Sequence, residues 1–301
     1  MNYKKIIKNR QLRFQILNWL RFVPDSLMLR WQYYIKTGRW PDFQHPRRFT
    51  EKLQLYKMRY RNPDMLRCTD KLEVRNFVAE KGYEKYLVPI IGVYDKVSDI
   101  NFNSLPNQFV AKTTDGSGGN QVFICKNKNE LLEEDFKKRM NKWLSAPKIK
   151  KSISREWAYE NDFSRRIFIE ELIGKEIPNC DLYDYKFFCF NGIISCIYGI
   201  SDRKLGQSVQ LGVYDSDFNK LDVYRNDERP QKVPLQKPSN FEEMKTLAES
   251  LSKGFPHVRI DLYNVAGKIY FGEMTFYDGS GYMTYTPDSF DFELGKHFTE
   301  Y

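Results

Sequence analysis

The chain has 301 residues, 41% of them apolar with 22 Phe and 20 Tyr, enough for two domains or one large domain with sizeable cores. No apolar run approaches the roughly 18 uncharged residues of a membrane span, and the basic N-terminus, interrupted by charges, does not read as a secretory signal. A net charge of +9 favours polyanionic partners, while five scattered Cys (68, 125, 180, 189, 196) without a CxxC fit free thiols in a reducing cytosol and argue against a disulfide framework or zinc site. No nucleic-acid module is evident by motif or spacing, which leaves anionic lipid, nucleotide phosphates or an acidic glycan. The three His, at 45, 257 and 297, lie too far apart in sequence to support a local Ser-His-Asp or Cys-His arrangement.

Residues 1–68 read as a basic helical segment. Apolar positions 6, 7, 12, 14, 16, 17, 20 and 22 suggest a first helix with Lys and Arg on its other side. Residues 1–22 could lie on a membrane surface, or pack on the domain with a solvated basic face. Pro24 and Asp25 begin a second helix over 26–36, and Thr50 is the expected N-cap of a third. Thr69-Asp70-Lys71 opens a helix with Leu72, Val74, Phe77 and Val78 inward, ending at Gly82. A short strand follows at 86–94, then strands at 108–112 and 121–125 joined by a Gly-rich loop. Residues 128–144 read as a helix with Asn129 as cap. The pattern then turns to strands at 166–172, 185–190, 193–200 and 209–214, a helix over 241–253 capped by Asn240, strands at 258–263 and 268–275, and a Gly- and aromatic-rich tail. This order predicts an α+β fold of two lobes with a cleft between them: the segment 1–68, a first lobe at 69–165 with the glycine loop, and a second lobe at 166–301.

The stretch 257–275 organises the reading. If Val265 pairs with Ile269 around a three-residue loop at 266–268, Tyr263 faces Phe271 and Asp261 faces Glu273. A side-chain period of two then sets both carboxylates on one face. Like charges opposite each other repel, so either both are solvated or something positive sits between them. A hard divalent cation such as Mg²⁺ carrying phosphates is the natural candidate.

Lys112 ends a strand and is followed by Thr113-Thr114-Asp115-Gly116-Ser117-Gly118-Gly119-Asn120. Glycines let backbone N–H groups close on phosphate oxygens, with the lysine as a point charge beside them; a loose hairpin with an exposed Lys is the alternative. Neither GxxxxGK[ST] nor GxGxxG is present. The strand 166–172 runs into Glu170, Glu171 and Leu172, where backbone groups and an acid could meet an adenine edge or ribose, or simply end in solvent. Lys186 lies within an aromatic strand and shares a face with Phe188 and Phe190 unless a bulge intervenes; a charge on that face needs a phosphate or an acid as partner. Arg203, in Ser201-Asp202-Arg203, could grip a carboxylate or phosphate bidentately. Asp215-Ser216-Asp217 resembles the metal-binding DxD of nucleotide-sugar glycosyltransferases, but its setting is also that of an ordinary hairpin.

Together, Asp70-Lys71, Lys112 with its glycine loop, Glu170-Glu171-Leu172, Lys186, Asp261 and Glu273 resemble the ATP-grasp superfamily. PRRFTEKLQ (46–54), DYKFFCFNG (184–192), SDR (201–203) and RIDLYNVAGKIYFGEMTFY (259–277) are similar to the TupA-like ATP-grasp proteins of bacterial cell-surface polysaccharide loci. The resemblance covers residues 25–300. It implies an ATP-grasp fold in which Lys71 and Lys112 contact ATP phosphates beneath the loop containing Gly116, Ser117, Gly118 and Gly119. Glu170, Glu171 and Leu172 would form the adenine hinge, Lys186 and Arg203 would serve the reacting groups, and Asp261 and Glu273 would hold Mg²⁺. Many relatives have an Asn two residues after the second acid; here it is Thr275. The implied activity is a carboxylate–amine ligase working through an acyl phosphate. Its expected partners are an acidic glycan or lipid-linked precursor and an amino acid or peptide amine, in the cytoplasm or at the inner face of the plasma membrane. A glycan kinase and a glycosyltransferase using the DSD motif are the alternatives.

Overall fold

The computed structural model describes residues 10–116, 121–146, 155–160, 162–177, 182–201 and 209–301. Helices α1 (Arg10–Trp19), α2 (Asp25–Thr37), α3 (Phe49–Arg59), α4 (Pro63–Thr69) and α5 (Glu73–Glu80) precede the first strand. Thr50 is not the cap of α3. The helix begins one residue earlier, and Glu51 folds back so that its Oε2 accepts the backbone N–H of Arg47 and Arg48, both at 3.1 Å. Thr50 is buried instead, with its hydroxyl 2.8 Å from that of Tyr33 and donating to Asp291 at 2.7 Å. Asp70 takes the capping role before α5, accepting the N–H groups of Leu72 and Glu73 at 2.8 and 3.0 Å.

The helical lead does not stand apart from the rest. Phe49, Leu53 and Tyr56 of α3 are part of the core built on the C-terminal sheet. Lys57 and Gln54 donate to the carbonyls of Ser280 and Gly281, at 2.6 and 2.8 Å. Lys57 is fully buried, and burial pushes its amine down to about 8 against the pull of Glu156.

Strands β1 (Ile90–Tyr94), β2 (Phe109–Thr113), β3 (Val122–Cys125) and β4 (Ile167–Glu171) form an antiparallel sheet in the order β1-β4-β2-β3. The first strand is shorter than expected, because residues 84–86 form a 3-10 turn and β1 starts after Pro89. Asn127, not Asn129, caps the next turn, and α6 (Glu133–Leu144) starts later than predicted. One face of this sheet packs Phe109, Ala111, Cys125, Ile167 and Ile169 on Phe136 and Met140 of α6. The other face carries Val110, Lys112, Ile124, Phe168 and Glu170, as a period of two requires. β4, grouped with the second lobe by sequence, sits in the middle of this first sheet. With three apolar residues before its two acids, this strand is too short for a pattern that says which sheet it joins.

The second sheet contains β5 (Tyr183–Phe190), β6 (Ile193–Ser201) and β7 (Gln210–Tyr214). After β8 (Tyr224–Arg225) come β9 (Arg229–Pro230), β10 (Val258–Val265) and β11 (Lys268–Thr275). The order is β11-β10-β5-β6-β7-β9, antiparallel except for the β7–β9 pair. Helix α7 (Phe241–Ser252) packs on β5, β6 and β10. Asn240 precedes it without capping it; its side chain donates to the carbonyl of Gly267 at 2.7 Å and accepts from Asn264 at 2.7 Å, tying the helix start to the β10–β11 turn. The tail forms β12 (Tyr285–Thr286), paired with β8, and a helix the sequence reading did not foresee, α8 (Ser289–His297), which packs on α3.

Candidate active site

The β10–β11 hairpin does bring Asp261 opposite Glu273, by a route other than the expected one. The turn has two residues, Ala266 and Gly267, at φ 50° and 81°, so Val265 pairs with Lys268 and Tyr263 with Tyr270. That register alone would set Gly272 against Asp261 and turn Glu273 to the core face. A bulge between Asp261 and Leu262 restores it, adding one residue to β11. Gly272 makes this close approach feasible: a Cβ there would sit 3.0 Å from the Asp261 carbonyl oxygen and 3.1 Å from the Tyr263 ring.

The positive charge between the two acids is Arg259, on the same face of β10. Its Nε and Nη2 donate to the two Asp261 oxygens at 2.6 and 2.7 Å, and Nη2 also reaches Glu273 at 3.3 Å and Thr275 at 3.1 Å. Arg259 further pairs with Asp278, which Arg225 holds from the other side at 3.1 Å. Lys186 sits between Asp184, at 2.9 Å, and Asp261. The partner Lys186 needed is thus an acid in this structure. Burial pushes the Asp261 carboxyl up, but Arg259 and Lys186 outweigh it and hold it at about 2; burial also raises Asp278, and Arg225 with Arg259 bring it below the usual range.

Across from this hairpin, the open face of the first sheet completes a cleft of about 220 Å³. Lys71, Lys112, Gly116, Glu170, Glu171, Leu172 and Glu273 all line it. Lys71 is fixed by two contacts: its backbone N–H donates to Thr114 at 2.8 Å and its amine pairs with the carbonyl of Gly116. Burial lowers the Lys71 amine, Glu273 opposes that shift and Lys112 adds to it, which is the electrostatic mark of three groups facing one space. Lys112 pairs with Glu170, and Glu171 with Lys175 at 3.0 Å. Val88, Val110, Ile124, Phe168 and Phe271 supply apolar walls. Asp115, at the root of the glycine loop, is held by Arg165 at 2.8 Å, and the guanidinium of Arg165 also donates to Trp143 at the end of α6.

Ser117, Gly118, Gly119 and Arg203 lie outside the described residues. Asp215 is taken up by its turn: one oxygen accepts the N–H groups of Asp217 and Asn219 at 2.9 and 2.8 Å, the other the Asn219 side chain at 2.9 Å. Arg75 also lines the cleft, its guanidinium donating to the Val88 carbonyl at 2.7 Å, and sequence reasoning gave no role to it or to Arg259, Asp278 or Arg225. Only Arg259 carried a signal, an Arg two residues before Asp261 on a strand whose alternate positions are Val258, Ile260 and Leu262.

Among the described residues no group of three or more His, Cys, Asp or Glu forms a metal cage. Of the two carboxylates expected to hold Mg²⁺, Glu273 lines the cleft, whereas Asp261 and Lys186 are not among its lining residues. One carboxylate fits Mg²⁺ carrying phosphates, whose shell is completed by phosphate and water oxygens. Glu273 is half exposed in the cleft, whereas Asp261 is engaged by Arg259 and Lys186.

No curated protein matches the sequence. Among solved structures the chain is similar to D-alanine--D-alanine ligase from Bacillus anthracis, with 18% identity over 70% of this chain and 57% of that chain and a TM-score of 0.43. It is similar to L-amino acid ligase from Bacillus licheniformis, with 14% identity over 77% and 49% and a TM-score of 0.45. A third is N5-carboxyaminoimidazole synthetase from Staphylococcus aureus complexed with ADP, with 15% identity over 75% and 50% and a TM-score of 0.39. The chain thus spans only about half the length of these structures. The family model described as TupA-like ATP-grasp matches residues 51–299, and the chain belongs to that family.

Proposed function

We propose that this protein is an ATP- and Mg²⁺-dependent carboxylate–amine ligase that joins an amino acid or peptide to an acidic cell-surface polysaccharide or its lipid-linked precursor. The observation that carries the reading is the cleft, which gathers Lys71, Lys112, Gly116, the Glu170–Leu172 strand end and Glu273 around an apolar slot. The nucleotide base takes the slot between Val110, Ile124, Phe168 and Phe271, and the phosphates take the end with Lys71 and Lys112. An incoming phosphate meets the solvent-facing amine of Lys112, with Glu170 covered behind it. Glu273 would hold Mg²⁺, which neutralises phosphate charge when bound, and Asp261 would join it once an oxygen is released from Arg259 or Lys186. Arg259 and Lys186 act as positioning residues for Asp261.

The reaction is two displacements. A carboxylate oxygen of the acceptor attacks the γ-phosphorus, the bond to the β-phosphate oxygen breaks, and ADP leaves with that electron pair. The amine nitrogen then attacks the acyl carbon, the C–O bond to phosphate breaks, and the nitrogen gives up a proton. The protein's contribution is alignment and charge neutralisation by fixed cations and backbone N–H groups. The excess of basic residues suits an acidic acceptor.

The test is to incubate the purified protein with Mg-ATP, an acidic glycan precursor and a mixture of amino acids, and to analyse the products by mass spectrometry. An amide with release of ADP and phosphate is expected, and Glu273→Gln should abolish it. A stable phosphorylated glycan would make the protein a kinase, and sugar transfer without ATP use would make it a glycosyltransferase; either overturns the reading.

A further inference from the structure

Three of the chain's five tryptophans, Trp19, Trp31 and Trp40, fall within 22 residues, and all three are exposed, by 79%, 49% and 53%. Tryptophans are ordinarily well covered in a fold of this size. On α2 the exposed Leu27, Trp31 and Tyr34 stand at i, i+4 and i+7 and form one stripe, while Met28, Leu29 and Tyr33 are buried. The helix therefore has two apolar sides, and the fold covers one. Trp40 closes the other: its ring stacks on Tyr34, with centroids 4.6 Å apart, and meets Trp31 edge-on at 4.9 Å. Phe22, just before α2, is 77% exposed.

The charge of the chain is distributed the same way. Residues 1–60 carry 14 Lys and Arg against three acids, whereas residues 61–301 carry 34 against 36. All of the net positive charge thus belongs to the segment that bears the aromatic stripe. A second copy docking through this face would bring two such basic segments together, which repel. Exposed Trp, Tyr and Leu amid Lys and Arg match the boundary of an anionic bilayer, where rings settle at head-group depth and cations meet the phosphates. No helix among the described residues is long and apolar enough to cross a membrane, so the contact is with its surface.

We propose that the face formed by Leu27, Trp31, Tyr34 and Trp40, within the basic N-terminal segment, docks this protein on an anionic lipid surface. This goes beyond the ligase reading and does not rest on it. The docking element is part of the folded body and not a loose leader: the Tyr33 hydroxyl lies 2.8 Å from that of Thr50 on α3. The membrane-facing patch is therefore centred on α2, beyond the residues 1–22 singled out by sequence.

The full-length protein is to be co-sedimented with phosphatidylglycerol vesicles and with phosphatidylcholine vesicles while tryptophan emission is followed. Binding to the anionic vesicles should be tighter by about tenfold or more, with a blue shift in emission as the exposed rings leave water. Trp31→Ser/Trp40→Ser should weaken that binding by about tenfold or more and leave the affinity for Mg-ATP unchanged. Equal affinity for both vesicles, binding without a blue shift, or wild-type binding by the double variant overturns the proposal. So does a dimer that the double variant converts to monomer, because the face would then belong to a second copy. The emission shift of the unmodified protein decides the matter even if the double variant fails to fold.

Discussion

The two sheets that flank the cleft hold their charges in different ways. On the four-stranded sheet, Lys112 is a quarter exposed and answers to one acid, Glu170. On the six-stranded sheet, Arg225, Asp278, Arg259, Asp261, Lys186 and Asp184 form a continuous chain in which each acid named is at most 2% exposed. The Lys112 amine reaches solvent and can meet a phosphate there, while Glu170, at 6% exposed, stays covered behind it. A sealed chain cannot lose a member without leaving the opposite charge buried. The first sheet is thus built to meet a phosphate on binding, and the second to keep Asp261 and Glu273 where they are.

The most damaging test of this difference is Asp278→Ala, which leaves Arg225 and Arg259 facing each other without the acid they share. A loss of about 3–5 kcal/mol is expected in chemical denaturation. A loss below about 1 kcal/mol would mean the cluster behaves like a surface pair, and the two sheets would not differ.

His257 probes the sealed side by pH. Its ring is fully buried against Phe49 and Phe190, and Nδ1 lies 3.0 Å from the carbonyl oxygen of Cys189, to which it donates. Burial pushes it down to about 3 from an ordinary 6.5. Between those values the unfolded chain binds a proton that the native protein does not, so stability falls as pH falls. The slope is at most about 1.4 kcal/mol per pH unit, or about 2 kcal/mol between pH 6.5 and 5. His257→Gln should flatten that stretch of a stability profile; an unchanged slope would assign it to another group.

On the first sheet, Lys112→Ala should weaken Mg-ATP binding about 10- to 100-fold in calorimetry, the usual worth of a charge-assisted hydrogen bond. Unchanged affinity would remove Lys112 from the phosphates and leave its pair with Glu170 as its whole role. The smallest effect is expected from Asp215→Ala, in the turn after β7. It should cost about 1 kcal/mol through lost turn hydrogen bonds and leave ATP-dependent turnover intact. Loss of turnover there, with Glu273→Gln active, would move the chemistry to the DSD motif.

Much of this architecture was legible in the residues. Alternation put Val110 and Lys112 on one face and Arg259 and Asp261 on another, and the helix start at Thr69-Asp70-Lys71 was recognisable from composition, though the helix itself begins at Glu73. The Asp261–Glu273 pairing was also foreseen, but through a three-residue loop where the molecule uses a two-residue turn and a bulge. The two routes agree at Asp261 and Glu273 and differ at Tyr263, which meets Tyr270 and not Phe271, and nothing in the spacing distinguishes them, because a bulge is an insertion relative to a partner strand and not a property of one strand.

The sequence by itself determined most of the strands and helices, though not α8, and which side chains share a face, because periods of 2 and 3.6 are local consequences of backbone geometry. Only the tertiary structure decided which opposite charge each side chain meets. Arg225 reaches Asp278, Lys186 reaches Asp261, and β4 joins the first sheet, across separations of 53, 75 and up to about 80 residues along the chain. Such partners are chosen by the shared burial of distant segments, where a lone charge is too costly to keep, and that cost does not exist until the chain has folded.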